Sequence, residues 1–103
     1  MNSRDKGKRG ELELAHWLTE RGHPARRGQQ FAGGTDSPDV FCPSLPLHFE
    51  AKRCERLRIH EAMAQAIRDA GDQVPVVAHR RNRSDWLAIL TLSDLLALIE
   101  ARQ

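Results

Sequence analysis

The 103-residue chain has no tyrosine, three phenylalanines and two tryptophans. Too few aromatics remain for a module that grips single-stranded nucleic acid by stacking base after base. Cys42 and Cys54 do not form a C-x-x-C pair, and no export signal accompanies them, because Met1 to Gly10 is charged and has no apolar stretch. Both thiols are therefore expected to stay reduced in a cytoplasmic protein. His16, His23, His48, His60 and His79 are scattered without zinc-ligand spacing, so no zinc site is expected. No apolar run approaches the roughly 18 residues of a membrane span.

What remains is a composition of 40% hydrophobic and 29% charged residues, that of a globular chain. Residues 1–103 are expected to form one domain around one core. The formal net charge is only +2, yet 13 of the 16 basic residues are arginine, whose planar fork of donors matches phosphate. They cluster: Lys6, Lys8 and Arg9; Arg26 and Arg27; Arg53, Arg56 and Arg58; Arg80, Arg81 and Arg83. Such clusters fit a basic face toward nucleic acid, or solvated loop charges.

Apolar periodicity through Leu14, Trp17 and Leu18, candidate caps at Ser3 and Asp5 and a stop at Gly22 predict a helix over 5–21. His23 to Arg27 reads as a short strand and Gly28 to Pro38 as a long loop. Val40 and Phe41 begin a second strand. A turn at Pro43 to Pro46 then leads into a third strand over Leu47 to Arg53, making a hairpin. Ile59 to Ala70 reads as a helix with Ile59, Met63, Ala66, Ile67 and Ala70 on one side. Val74 to Ala78 and Trp86 to Thr91 read as strands, and Ser93 is expected to cap a last helix carrying Leu95, Leu96, Leu98 and Ile99. The order is αβββαββα. Trp17 and Trp86 are expected in the core.

Chemistry concentrates in the hairpin. Alternation along the third strand puts Glu50 and Lys52 on one face and Phe49 and Ala51 on the other. Asp39, at the start of the partner strand, is close enough in principle to share a divalent ion with Glu50, and hard carboxylate oxygens suit magnesium or manganese. Glu11 lies on the inward stripe of the first helix with Leu14, Ala15 and Leu18, where acids seldom sit without a partner. Glu13 and Glu20 are expected at the surface. His48 shares the face of Glu50 and either borders the site or, the first expectation, is a solvated strand residue.

With these residues in place the chain resembles the PD-(D/E)XK nucleases, and among them the small archaeal-type and phage Holliday junction resolvases. The matching residues are Lys6-Gly7 followed by Glu11, the Gly33-Gly34 loop, Pro38-Asp39-Val40, Phe49-Glu50-Ala51-Lys52, and Gln65 on the next helix. The resemblance implies a restriction-endonuclease-like αβββαβ core, a mixed central sheet flanked by helices, followed by a C-terminal strand and helix. It also implies a homodimer acting on branched DNA in a prokaryotic cell or phage-infected host. Asp39, Glu50 and the Ala51 carbonyl would hold Mg2+, with Mn2+ as a substitute, and Glu11 would be a direct or water-mediated ligand. Lys52 would address water and phosphate. Gln65 would position Lys52 or the water, or is an ordinary helical glutamine. DNA contacts are expected from Lys6, Lys8, Arg9, Arg26, Arg27, Gly33, Gly34, Thr35, Arg53, Arg56 and Arg58. The resolvases carry a serine in the loop before the metal-binding Asp; here that stretch is Phe31 to Thr35, with Thr35 or Ser37 as substitutes and Asp36 as a further acid. The alternatives are a nuclease of the same fold acting on duplex ends or nicking, and a non-catalytic nucleic-acid-binding protein.

Overall fold

The computed structural model describes residues 3–28 and 38–102, with side chains from Gly7 onward. The elements are α1 (Ser3–Glu20), β1 (Arg26–Arg27), β2 (Val40–Phe41), β3 (Leu47–Arg53), α2 (Ile59–Asp69), β4 (Val74–Arg80), β5 (Leu87–Ile89) and α3 (Leu92–Ala101). One five-stranded mixed sheet runs in the order β1-β2-β3-β4-β5. The pairs β1/β2, β2/β3 and β4/β5 are antiparallel, whereas β3 and β4, joined across α2, are parallel. The chain is thus an α/β protein with three helices, and the β2/β3 hairpin expected from the sequence is present. Among the described residues no helix is long and apolar enough to cross a membrane.

Side-chain parity divides the sheet. Leu14, Ala15 and Leu18 of α1 pack on Val40, Phe49, Val76 and Ala78. Ala62 and Ala66 of α2 pack with Val77, with Leu57, Met63 and Ile89 around them. In the register Phe49 sits beside Val76 and Glu50 beside Val77, so Phe49 and Ala51 face α1 while His48, Glu50 and Lys52 share the face that α2 covers. The inner stripe of α2 is mostly small: Ala62, Ala66 and Ala70 are buried and Met63 packs beside them, as expected for Met63, Ala66 and Ala70, while Ile59 and Ile67, expected on the same side, are about half exposed. Methyl side chains let the helix lie close over the polar face of β3.

Helix α1 ends as the sequence indicates. Gly22, at φ +90°, donates to the Thr19 carbonyl and His23 to that of Leu18, the pair of bonds that closes a helix through a left-handed glycine. Its start is fixed by contact. A Cβ on buried Gly10 would lie 2.6 Å from the Arg53 Cβ, so only glycine lets the helix cross β3 there. One turn on, Glu13 accepts from Arg53 Nε at 3.1 Å and Arg80 Nη1 at 3.0 Å. Arg53 and Arg80 are register partners on parallel strands, and like charges set side by side are unfavourable unless offset. Glu13 is therefore not the solvated charge expected of it; it ties α1 to β3 and β4.

Other expectations are also revised. Trp17 is 36% exposed with the Arg21 guanidinium 3.8 Å above its ring, so it belongs to the surface, while Trp86 packs against the core. The last helix is capped by Thr91, whose hydroxyl accepts from the Asp94 amide, rather than by Ser93. None of its residues is buried, and Leu92 is 69% exposed. Strand β4 runs on to Arg80, two residues past Ala78, and β5 is shorter than Trp86 to Thr91.

The ends of the β1–β2 connection meet at Gly28, whose amide donates to the Asp39 carbonyl at 2.9 Å. A Cβ on Gly28 would fall 1.8 Å from the Pro38 carbonyl oxygen, a backbone atom that cannot swing aside. Gly28→Ala should therefore lower stability by about 2 kcal/mol or more in urea denaturation; unchanged stability would show that this approach is not required.

Candidate active site

Three backbone features bring the polar residues together. The β2/β3 hairpin sets Val40 opposite Phe49, so Asp39, one step before β2, comes opposite Glu50 and donates its amide to the Phe49 carbonyl. Alternation along β3 puts His48, Glu50 and Lys52 on that same face. Helix α2 then lays Gln65 over Lys52.

Glu50 is only 2% exposed and His48 only 1%. The ring Nε2 of His48 lies 3.0 Å from Glu50 Oε1; a carboxylate oxygen accepts, so Nε2–H donates. His48, expected to be solvated, is in fact enclosed with the acid. Asp39 Oδ2 accepts from the Ala51 amide at 2.9 Å. The Asp39 carboxyl is pushed up to about 7, first by burial, next by the charge of Glu50, with a hydrogen bond to Glu50 and the charge of Glu11 adding to the rise; the Ala51 amide opposes it. Below that pH the proton on Asp39 bridges the two acids. Above it, the Asp39 charge stands beside the almost wholly buried side chain of Glu50.

Glu11 has a side chain 14% exposed and accepts from Arg27 Nε at 3.0 Å. Its inward placement is as expected, and its charge reaches Asp39, but its nearest cation is an arginine. Among the described residues no three His, Cys, Asp or Glu side chains already converge as a metal cage. Asp39 and Glu50 are thus the acids set side by side, with Glu11 further out. A pair of enclosed carboxyl groups that must share a proton or take up a cation is a donor set suited to a hard dication. The carbonyl of Ala51, between Glu50 and Lys52, is a third oxygen of the same character.

Lys52 Nζ donates to Gln65 Oε1 at 3.3 Å, so Gln65 meets Lys52 and is not a bystander on its helix. On the neighbouring strand His79 is the register partner of Lys52 and donates through Nε2 to the Cys54 carbonyl at 2.8 Å. Both cysteines are free thiols.

The arginines divide. Arg27 and Arg53 are held by Glu11 and Glu13. Lys8, Arg9 and Arg56 are exposed on α1 and after β3, and Arg58 lies 3.6 Å from Glu61 in a fully solvated pair. Arg26 is exposed and stacks 4.9 Å over Phe41. The side chain of Lys6, and Gly33, Gly34, Thr35, Asp36 and Ser37 altogether, lie outside the described residues. Glu13 was expected only as a surface charge, and for His48 the expectation of a solvated residue gives way to the one that borders the acids. The signal for His48 was its parity with Glu50 on a strand whose two faces are both covered.

Compared with protein-family models, with curated proteins and with solved structures, the chain finds no match.

The raised carboxyl group has a consequence for the metal-free protein. An acid whose pKa is 3.8 unfolded and about 7 folded binds more protons when folded, so its contribution is complete below pH 3.8 and is lost as pH rises toward 7. Asp39→Asn keeps an oxygen for the Ala51 amide and removes the charge. In EDTA it should stabilise the protein, by on the order of 1–3 kcal/mol at pH 8, with the gain growing from pH 4 to 7 and then levelling. A gain independent of pH in thermal melts would contradict this origin.

Proposed function

We propose that the chain is a magnesium-dependent endodeoxyribonuclease with a restriction-endonuclease-like core, hydrolysing phosphodiester bonds in branched DNA, with the four-way junction as substrate and a homodimer as the working form. The observation that carries it is the placement of Asp39 and Glu50 side by side, with the Lys52–Gln65 pair on the same covered face of the sheet.

Asp39, Glu50 and the Ala51 carbonyl are the residues that would hold Mg2+ or Mn2+, with Glu11 at one remove. When bound, the cation lowers the pKa of an attacking water and offsets charge on the phosphate. Lys52 supplies a second positive charge two residues along the same strand face, where it can orient the water and stabilise negative charge growing on the phosphorane oxygens. Gln65 fixes the ammonium from α2, so that Lys52 does not collapse onto Glu50 by their mutual attraction. Homodimerisation would place two such sites for paired cuts in opposite strands.

A purely basic DNA-binding protein is the less supported alternative. Arg27 and Arg53, two of the cations it would rely on, are occupied by acids of α1, and a buried acid pair would repel phosphate. A nuclease of the same fold for duplex ends or nicking shares the same chemistry and differs in substrate.

Cleavage of labelled four-way junction, duplex and single-stranded DNA, with and without Mg2+, tests the proposal. Paired nicks in the junction are expected, lost by roughly 100-fold or more in both Asp39→Ala and Lys52→Ala. Cutting of other substrates alone would keep the nuclease and remove the junction. No cleavage in Mg2+ or Mn2+, with metal-independent binding unaffected by Asp39→Ala, would leave a DNA-binding protein.

A further inference from the structure

We infer that His48 is a positioning residue for the metal site: its Nε2–H holds one oxygen of Glu50 and so reserves the other for the cation. The inference rests on the metal-site role proposed above for Asp39 and Glu50. His48 and Glu50 are two residues apart on β3 and point the same way, beneath α2, where each is almost wholly buried. A glutamate there has a flexible side chain and two equivalent oxygens, and either could turn toward a cation unless one is held.

The 3.0 Å bond from His48 removes that freedom at Oε1. Among the described residues the ring has no other polar anchor: Nδ1 is buried without a hydrogen-bond partner there, so the directional contact these residues give the imidazole is the one to Glu50. A histidine kept simply to fill the core would be replaced without loss by a hydrocarbon ring, which has no orphaned nitrogen to bury. Hydrogen-bond partners standing behind ligating groups characteristically alter metal affinity by about 10–100-fold when removed.

Two replacements separate packing from orientation. His48→Phe keeps a ring of similar size and removes the donor. His48→Gln places an amide N–H about as far from the backbone as Nε2 and retains the donor. Titration calorimetry of Mg2+, and of Mn2+, into the full-length protein reads binding without reference to catalysis, with Glu50→Gln as the control lacking the ligand charge.

Wild type should bind, Glu50→Gln should lose measurable binding, His48→Phe should bind about 10–100-fold more weakly, and His48→Gln should recover to within a few-fold of wild type. If folded His48→Phe binds as wild type does while Glu50→Gln does not, the positioning role of His48 is overturned and the metal site stands. If wild type binds neither cation, the proposed function falls and the role of His48 with it. Should His48→Phe fail to fold by circular dichroism, His48→Asn, whose amide stops short of Glu50, takes its place: weakened binding supports the role and wild-type binding overturns it.

Discussion

Two carboxyl groups a hydrogen bond apart repel whenever both are ionised, and the repulsion grows as water is excluded. Asp39 and Glu50 are held at that distance by the surrounding structure. The β2/β3 hairpin sets their strands together, the Ala51 amide holds the Asp39 carboxyl group and His48 that of Glu50, and α2 packs on the same face of the sheet over Val77, the register partner of Glu50. The cost of the ionised pair is met by the remainder of the fold, notably the Phe49, Val76 and Leu14 cluster on the opposite face. Removing the Asp39 charge would relieve the repulsion, and acids perturbed in this way concentrate at functional sites.

Helix α1 is the second constraint, and it acts through charge as much as through packing. Gly10 lets it touch β3, Glu13 gathers Arg53 and Arg80, and Glu11 takes Arg27 of β1. These contacts orient the helix across the sheet and leave Glu11 within electrostatic reach of Asp39. The same acids withdraw two arginines from any DNA-facing surface, so a nucleic-acid path along this protein would rely on the exposed set Lys8, Arg9, Arg26, Arg56 and Arg58.

The order of elements, the bounds of β3 and the pairing of Asp39 with Glu50 were legible because each follows from local pattern: strand alternation, a turn rich in proline, and glycines past the helix ends. Glu11 was legible because it interrupts an apolar stripe. His48 was misread because alternation marks the His48, Glu50 and Lys52 face as polar, and only the crossover of α2 onto that face makes it interior. Glu13 was misread for a similar reason, since its partners come into register through the parallel pairing of strands 27 residues apart in sequence. The inner stripe of α2 was read correctly at Met63, Ala66 and Ala70 and wrongly at Ile59 and Ile67, whose hydrophobicity outweighs that of Ala62, the residue that is in fact buried.

The most direct measurement is a titration of the isotope-labelled protein with Mn2+, following paramagnetic broadening of backbone amide signals. Broadening that begins at Ala51 and at its neighbours in β3, together with Asp39 and Val40, and that disappears in Glu50→Gln, is the predicted result. Broadening that begins instead at exposed acids such as Asp72 or Glu100, and persists in Glu50→Gln, would contradict the assignment of the Asp39–Glu50 pair as a cation site.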